Sequence, residues 1–231
     1  MFASLALAQD KPLPGSSWGA ISELPNFVGV WETSRGGGGP PAARPEPMAL
    51  TAPYLARQKE YQAHRPEDSP QANCVPPGMP SIMTQPYPIE ILFTPGKVTI
   101  LIEAYEQIRH IYTDGRKLPD DPDLTFNGTS IGHWEGDTLV AESVGFAKET
   151  VLGAGAHHSD KLKITERIKL SNPNLLEIAT TMQDPEALTK PYTVNSRFAR
   201  HADWTLAEYV CQQNNRNSVS LDGKAGIDLS H

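Results

Sequence analysis

Hydrophobic and polar residues alternate with a period of two over most of the chain from residue 89 onward. Such alternation is typical of strands that bury one face. The pattern predicts strands over residues 89–94, 97–104, 106–113, 129–135, 138–146, 161–170, 174–182, 190–200 and 204–212. Short turn motifs separate several of them, so we expect an antiparallel meander. So many strands favour a mainly β fold closed or curled into a barrel, because closure removes exposed edges.

The chain before residue 89 is rich in proline and lacks this alternation. Proline interrupts both helices and central strands, so we expect mostly irregular structure here. One short helix is predicted over residues 52–64, because Thr51 can cap its start and Pro53 is tolerated in the first turn. Residues 35–47 are predicted to be a loop and residues 70–88 an irregular wrap over the domain.

These elements predict a single barrel-like domain over residues 25–214, of which residues 35–88 are the loop, helix and wrap. Residues 9–24 and 215–231 are predicted tails. Residues 1–8 end in Ala6-Leu7-Ala8, a pattern typical of the end of a secretory signal peptide. An unstructured N-terminus is the alternative. We expect a periplasmic or secreted protein.

The chain has two cysteines, Cys74 and Cys211. In an exported protein, two isolated cysteines most simply form one disulfide bond. Two buried thiols are the alternative.

A further strand is predicted over residues 26–32, which contain Gly29-Val30-Trp31. This segment resembles the Gly-x-Trp signature of lipocalin-like (calycin) barrels. The resemblance implies that Trp31 closes one end of a barrel and that an arginine of the last strands packs over it. Arg197 and Arg200 are the two candidates.

The hairpin sequence GHWEGDTLV, residues 132–140, is more distinctive. It occurs together with the segments CVPPGMP (74–80), PYPIEI (86–91), IYTDGRKLP (111–119), HSDKLKITER (158–167) and EYVCQQNNR (208–216). This combination resembles a family of exported bacterial proteins of unsettled activity. The resemblance spans roughly residues 25–216 and implies export and a mostly β domain, without implying a reaction.

Composition argues against some classes of protein, namely nucleic-acid binders and proteins that span a membrane. Hydrophobic residues make up 39% of the chain and, with the 18 glycines, about 47%, which is ordinary for a globular protein. The net charge of −7 argues against a nucleic-acid partner. No apolar run reaches the roughly 18 residues of a membrane-spanning helix, so we expect no membrane span.

The pattern over residues 161–170 predicts a carboxylate in the interior of the barrel. Leu162, Ile164, Ile168 and Leu170 share one face of this strand with Glu166. A buried carboxylate needs a partner or a raised pKa, so Glu166 is a candidate catalytic residue. A structural ion pair with an arginine is the alternative.

Candidate partners lie on the strand over residues 106–113. Arg109 and Ile111 point to one face of this strand, whereas His110 and Tyr112 share the other face. The pattern does not decide which face is inside. An inward Arg109 would pair with a carboxylate, and inward His110 and Tyr112 would complete a catalytic set.

Further candidates are weaker, and each has an ordinary structural alternative. His158, in a glycine-bounded loop with His157, is the remaining catalytic candidate. The predicted ligand-binding residues are Arg109, Arg116, His133, Trp134, Trp204 and Glu208, of which Trp204 and Glu208 share a face of the predicted last strand.

No nucleotide, zinc or serine-hydrolase motif is present in the sequence. We therefore expect an enzyme that binds a small organic molecule and needs no cofactor. It would perform acid/base chemistry of the lyase or isomerase type in a barrel lumen. A divalent metal site with ligands from several strands stays an open alternative, because such ligands have no recognisable spacing in the sequence. The alternatives are a lipocalin-like carrier of an apolar or aromatic ligand and an interaction module of the cell envelope.

Overall fold

The computed structural model describes residues 12–34, 46–63 and 70–211. Nine strands form a closed barrel in which each strand lies beside its neighbours in chain order. The strands are β1 (Gly29–Thr33), β2 (Ile89–Thr94), β3 (Lys97–Ile102), β4 (Gln107–Tyr112), β5 (Thr129–Glu135), β6 (Thr138–Val144), β7 (Lys163–Asn172), β8 (Leu175–Gln183) and β9 (Tyr192–His201). The prediction of a mainly β, lipocalin-like barrel is confirmed.

One pair of strands departs from the predicted antiparallel meander. β4 and β5 run parallel and pair only through Ile111 with Ser130 and Tyr112 with Ile131. The reason is the long connection over residues 113–128, which returns the chain to the starting end of β4 before β5 begins. All other neighbouring strands pair antiparallel, including β1 with β9, which closes the barrel.

The predicted strand over residues 204–212 is wrong. Residues 204–210 have no regular secondary structure. The physical reason is closure: β9 already pairs with both β8 and β1, so no free edge is left for another strand. The predicted interior position of Glu208 fails with this strand, because Glu208 is exposed. Trp204 is 43% exposed and stacks on His201.

The predicted helix is confirmed as α2 (Ala52–Ala63), and a second short helix, α1 (Trp18–Ile21), lies in the predicted N-terminal tail. The Thr51 hydroxyl before α2 donates to the Glu186 carbonyl and ties the helix to the β8–β9 connection. Among the described helices, none combines the length and apolar character needed to cross a bilayer. The predicted signal-peptide remnant, most of the loop over residues 35–47 and the C-terminal tail lie outside the described residues.

Inward-facing side chains from around the barrel pack into one hydrophobic core. Its members include Trp31, Ile100, Ile111, Leu139, Ile164, Ile178 and Phe198. On β3, for example, the core residues Val98, Ile100 and Ile102 follow at every second position, as the pleat requires. The prediction that residues 161–170 bury the Leu162–Ile164–Ile168 face is therefore confirmed.

The Gly-x-Trp segment closes one end of the barrel. Trp31 is fully buried, and its indole N–H donates to the Phe27 carbonyl over 2.8 Å. The Arg200 guanidinium lies 4.2 Å from the centre of the Trp31 ring, so Arg200 is the arginine that packs over it. Gly29 has a φ of +127°, and a side chain here would meet the Arg200 guanidinium at 3.1 Å. The other candidate, Arg197, pairs instead with Glu177.

The Cys74–Cys211 disulfide predicted from the sequence is confirmed. It fastens the irregular segment over residues 202–211, which follows β9, to the wrap before β2. Between these points the Tyr209 ring packs against both Tyr87 and Tyr105, with ring centres 5.2 Å apart in each pair. Burial and the two neighbouring tyrosines raise the pKa of Tyr209 to about 12, so its phenol stays protonated at neutral pH.

Candidate functional site

Glu166 lies inside the barrel, as its strand pattern predicts. It is fully buried on β7 and forms an ion pair with Arg109 of β4, which is 1% exposed. The Arg109 Nη2 group also donates to the Ser143 hydroxyl over 3.1 Å, and the Ser130 hydroxyl lies 2.7 Å from that of Ser143. Of the two orientations that the sequence left open for β4, the one with Arg109 inside is therefore observed.

This network is incompletely satisfied within the described part of the chain. The Arg109 Nη1 and Glu166 Oε1 atoms are buried and have no hydrogen-bond partner there. Buried polar atoms are normally paired, and unpaired ones each cost free energy. Arg109 therefore has N–H groups, and Glu166 a carboxylate oxygen, available to a further polar group.

A cleft of about 410 Å³ opens in the barrel wall beside this network. It is lined by Gln107, Ile108, Arg109, His110, Tyr112 and residues 125–130. The cleft lies where β4 and β5 do not pair. Thr125 bonds instead to the end of β6, since its N–H donates to Gly145 and its carbonyl accepts from Ala147. The chain before β5 is thus drawn away from the edge of β4.

Gly128 makes this divergence possible. Its φ is +66°, and a side chain here would meet the Val144 carbonyl and the Phe146 ring at 2.7 Å. Only glycine adopts that conformation in so confined a space without strain. The bend of the chain at Gly128 therefore defines one wall of the cleft.

Asn127 bridges the cleft. Its amide nitrogen donates to the Gln107 side-chain oxygen over 3.2 Å and to the Ile108 carbonyl over 3.3 Å. Its amide oxygen is buried and has no partner among the described residues. This oxygen is a second polar group that a bound molecule can satisfy.

His110 and Tyr112 line the cleft but do not form the predicted catalytic set with Glu166. They lie on the opposite face of β4 from Arg109, and it is Arg109 that pairs with the interior carboxylate. The Thr99 hydroxyl lies 3.1 Å from Nδ1 of His110. Burial, and secondarily the charge of Lys97, lower the pKa of His110, so its ring is neutral at pH 7.

Three other predicted ligand-binding residues, Arg116, His133 and Trp134, make local contacts and do not line this cleft. Arg116 pairs with Asp114 and covers the Tyr112 ring, with its guanidinium 3.7 Å from the ring centre. His133 is exposed and lies 3.2 Å from Glu135. Trp134 packs against Phe27 and Phe93 at one end of the barrel.

His158 is buried away from the cleft. Its Nε2 lies 2.6 Å from the Thr150 hydroxyl, and its Nδ1 lies 2.7 Å from the Ser159 carbonyl. Because that carbonyl can only accept, Nδ1 is the protonated nitrogen. His158 thus fixes the loop in which it lies. His157 contacts the Tyr61 ring of α2 instead.

The structure brings together Arg109, His110 and Tyr112 from the predicted set, all on one strand. Sequence reasoning missed Gln107, Asn127 and Ser130 as cleft residues, since nothing in the local pattern marks a parallel pair of strands. Over the described ranges, no three His, Cys, Asp or Glu side chains are grouped so as to hold a metal ion.

Comparison with known proteins adds no family assignment. No protein-family model matches the chain, and no curated protein sequence matches it significantly. The resemblance of the GHWEGDTLV hairpin to exported bacterial proteins therefore stays a prediction.

Proposed function

We propose that the protein binds a small amphipathic molecule in the wall cleft between β4 and β5. One observation supports this most strongly: a cleft of about 410 Å³ is lined by residues whose buried polar atoms have no partner in the described part of the chain. Ligand sites commonly have such volumes and combine apolar walls with a few polar groups. A bound molecule would satisfy polar atoms that otherwise destabilise the fold.

The lining indicates the chemistry of the ligand. Ile108 is 55% exposed and, with Phe126 and Tyr112, offers apolar and aromatic contacts. Asn127 offers an acceptor and Arg109 offers donors. Because Glu166 neutralises Arg109, the cleft has little net attraction for an anion. We therefore infer an uncharged ligand with both a donor and an acceptor, such as an aromatic amide.

The geometry favours binding over the acid/base role that the sequence predicts for Glu166. Its carboxylate is paired with the Arg109 guanidinium, and Glu166 is not among the residues that line the cleft. A carrier function, the alternative drawn from the Gly-x-Trp segment, needs no proton transfer.

Acid/base catalysis stays a second candidate because His110 lines the cleft as a neutral imidazole. A neutral imidazole is a competent general base. In this case His110→Gln would abolish conversion of a bound substrate while leaving its binding intact.

Export is supported by the disulfide, since such bonds persist in oxidising compartments such as the periplasm. We therefore propose a periplasmic or secreted protein that meets its ligand outside the cytoplasm.

The binding proposal is tested with para-fluorobenzamide, an uncharged aromatic amide, titrated by fluorine NMR. Ile108→Glu places a charge at the mouth of the cleft and should weaken binding at least about tenfold, because the charge must be desolvated when the ligand binds. Leu55→Glu on α2 is the matched control, since Leu55 is 41% exposed and does not line the cleft.

Equal affinity of both variants for the amide would rule out the cleft as its site. Recovery of the amide unchanged supports a carrier, and its hydrolysis supports an enzyme.

A further inference from the structure

We infer a second ligand site at one end of the barrel, where the β7–β8 turn meets β9. A cleft of about 520 Å³ is lined there by Asn26, Leu170, Asn172, Pro173, Asn174 and Arg200. The geometry points to a small organic acid as its occupant, with the carboxylate on Arg200 and the apolar body on Leu170 and Pro173.

Arg200 is a cation held by neutral groups. Its Nε donates to the Pro173 carbonyl over 2.8 Å, its Nη2 donates to Asn26 over 2.6 Å, and its Nη1 donates to Val28. Throughout the described residues, no carboxylate forms an ion pair with Arg200, in contrast to Arg109, Arg116, Arg167 and Arg197. Burial lowers the pKa of Arg200, and no acid within the described ranges offsets this effect.

The three carbonyls fix the guanidinium without using all its donors. A guanidinium has five N–H groups, and each carbonyl accepts from one of them. Two N–H groups therefore stay available on a side chain that is already ordered. An anion binding here gains charge-assisted hydrogen bonds and orders no long side chain, which favours affinity.

Neighbouring asparagines add donors to the same cleft. The Asn26 side-chain oxygen accepts from the Val28 N–H over 3.1 Å, and that of Asn172 accepts from the Asn174 N–H over 2.9 Å. Because the oxygens are engaged with the backbone, the free ends of both amides are their NH₂ groups. The site thus combines one positive charge with amide donors, which suits an oxyanion.

The surroundings select an organic acid over an inorganic anion. Leu170 and Pro173 supply apolar wall, and the volume exceeds that needed for a bare phosphate. The Arg200 backbone N–H also donates to the Asn174 carbonyl over 3.1 Å, so the turn and the strand that form the cleft are fixed to each other. The site is therefore preformed.

The test uses para-fluorobenzoate, titrated by fluorine NMR at constant ionic strength. Asn172→Asp keeps the oxygen that the turn needs but places a negative charge beside Arg200. We expect it to weaken benzoate binding at least about tenfold through charge repulsion. Asn195→Asp is the matched control, because Asn195 is exposed on β9, does not line this cleft and adds the same charge. Benzoate binding to the wild type and the control, with loss in Asn172→Asp, supports the site.

Three results would overturn the inference. The first is benzoate binding of equal strength in Asn172→Asp and the control. The second is no saturable benzoate binding to the wild type. The third is displacement of benzoate by equimolar inorganic phosphate, which would show a phosphate site in place of an organic-acid site. Ile108→Glu should leave benzoate binding unchanged, so this site and the wall cleft can fail independently.

Discussion

Among individual residues, Arg109 and Glu166 are the most demanding to bury. Each is almost completely removed from water, and each depends on the other to offset the loss of hydration. A buried ion pair contributes little net stability, but removing one partner leaves an uncompensated charge in the core. The serine hydroxyls at 130 and 143 add hydrogen bonds and make the pair part of a network.

Glu166→Gln should therefore lower the free energy of unfolding by about 3–5 kcal/mol, because it leaves the buried Arg109 charge without its ion-pair partner. Urea denaturation followed by circular dichroism measures this loss. The double variant Arg109→Met/Glu166→Leu removes both charges and should recover much of it. Glu177→Gln on β8 is the control, because Glu177 is partly exposed and faces Lys169 and Arg197 on the outer surface. A Glu166→Gln protein as stable as the control would contradict the structural role of the pair.

The strand pattern sufficed to place Glu166, because Leu162, Ile164 and Ile168 fix the inner face of its strand. It did not identify the partner, because β4 has Ile108 on one face and Ile111 on the other. The structure resolves this ambiguity by burying Ile111 completely and leaving Ile108 55% exposed. Only the neighbouring strands determine that choice, and their register is not visible in the residues of β4.

Among the elements, the connections between strands are fixed by hydrogen bonds that the strand pattern does not show. The β8–β9 connection is anchored by Asp184, a buried carboxylate. It accepts hydrogen bonds from the N–H and hydroxyl of Ser159 over 2.6 and 2.7 Å, and from the N–H groups of Glu186 and Ala187 over 3.0 Å. One side chain thus joins the loop after His158 to the start of the connection to β9.

Burial opposes ionisation of Asp184, but the hydrogen bonds from Ser159, Ala187 and Glu186 outweigh it and hold the pKa of Asp184 below its ordinary value. Its stabilising contribution is therefore fully present above the ordinary pKa of about 4 and is lost as the pH falls through the lower native pKa. Asp184→Asn turns an acceptor into a donor facing Ser159, and should cost about 2–3 kcal/mol at pH 7.

Thermal denaturation from pH 7 downward checks this prediction. The stability difference between wild type and Asp184→Asn should stay constant at neutral pH and shrink below pH of about 4. Asp160→Asn is the control, since Asp160 is 60% exposed and lies on the surface beside Lys161. A difference that grows on acidification would contradict the hydrogen-bonded, ionised carboxylate.

The two wrong predictions at this scale share a cause. The pattern over residues 204–212 has the alternation of a strand, and the turn motifs between the predicted strands favour an antiparallel meander throughout. Whether a strand forms depends on a free edge, and closure of β9 onto β1 removes it. Whether a turn reverses the chain depends on the residues that follow, and here they continue along the barrel to Thr125. Both depend on contacts that are distant in the sequence.

At the scale of the whole molecule, two features join the two ends of the chain of strands. Pairing of β1 with β9 closes the sheet, and the Cys74–Cys211 disulfide fastens the segment after β9 across the wrap before β2. Among the described residues, this segment is also held by the stacking of Trp204 on His201 and by the Tyr209 ring between Tyr87 and Tyr105. The Ala207 N–H donates to the Glu103 carboxylate over 2.7 Å.

Replacing both cysteines by alanine should therefore lower the free energy of unfolding by about 2–5 kcal/mol, since the bond closes a long loop and restricts the unfolded chain. The loss should leave the barrel itself intact. Hydrogen exchange should speed up over residues 202–211 and stay slow in β6 to β8, each of which pairs with a strand on both sides. Wild type treated with reductant should match the double variant, and a single Tyr209→Leu variant should loosen the same segment while keeping the bond. Uniform acceleration across all strands would instead show that the disulfide supports the closed barrel and not the segment after it.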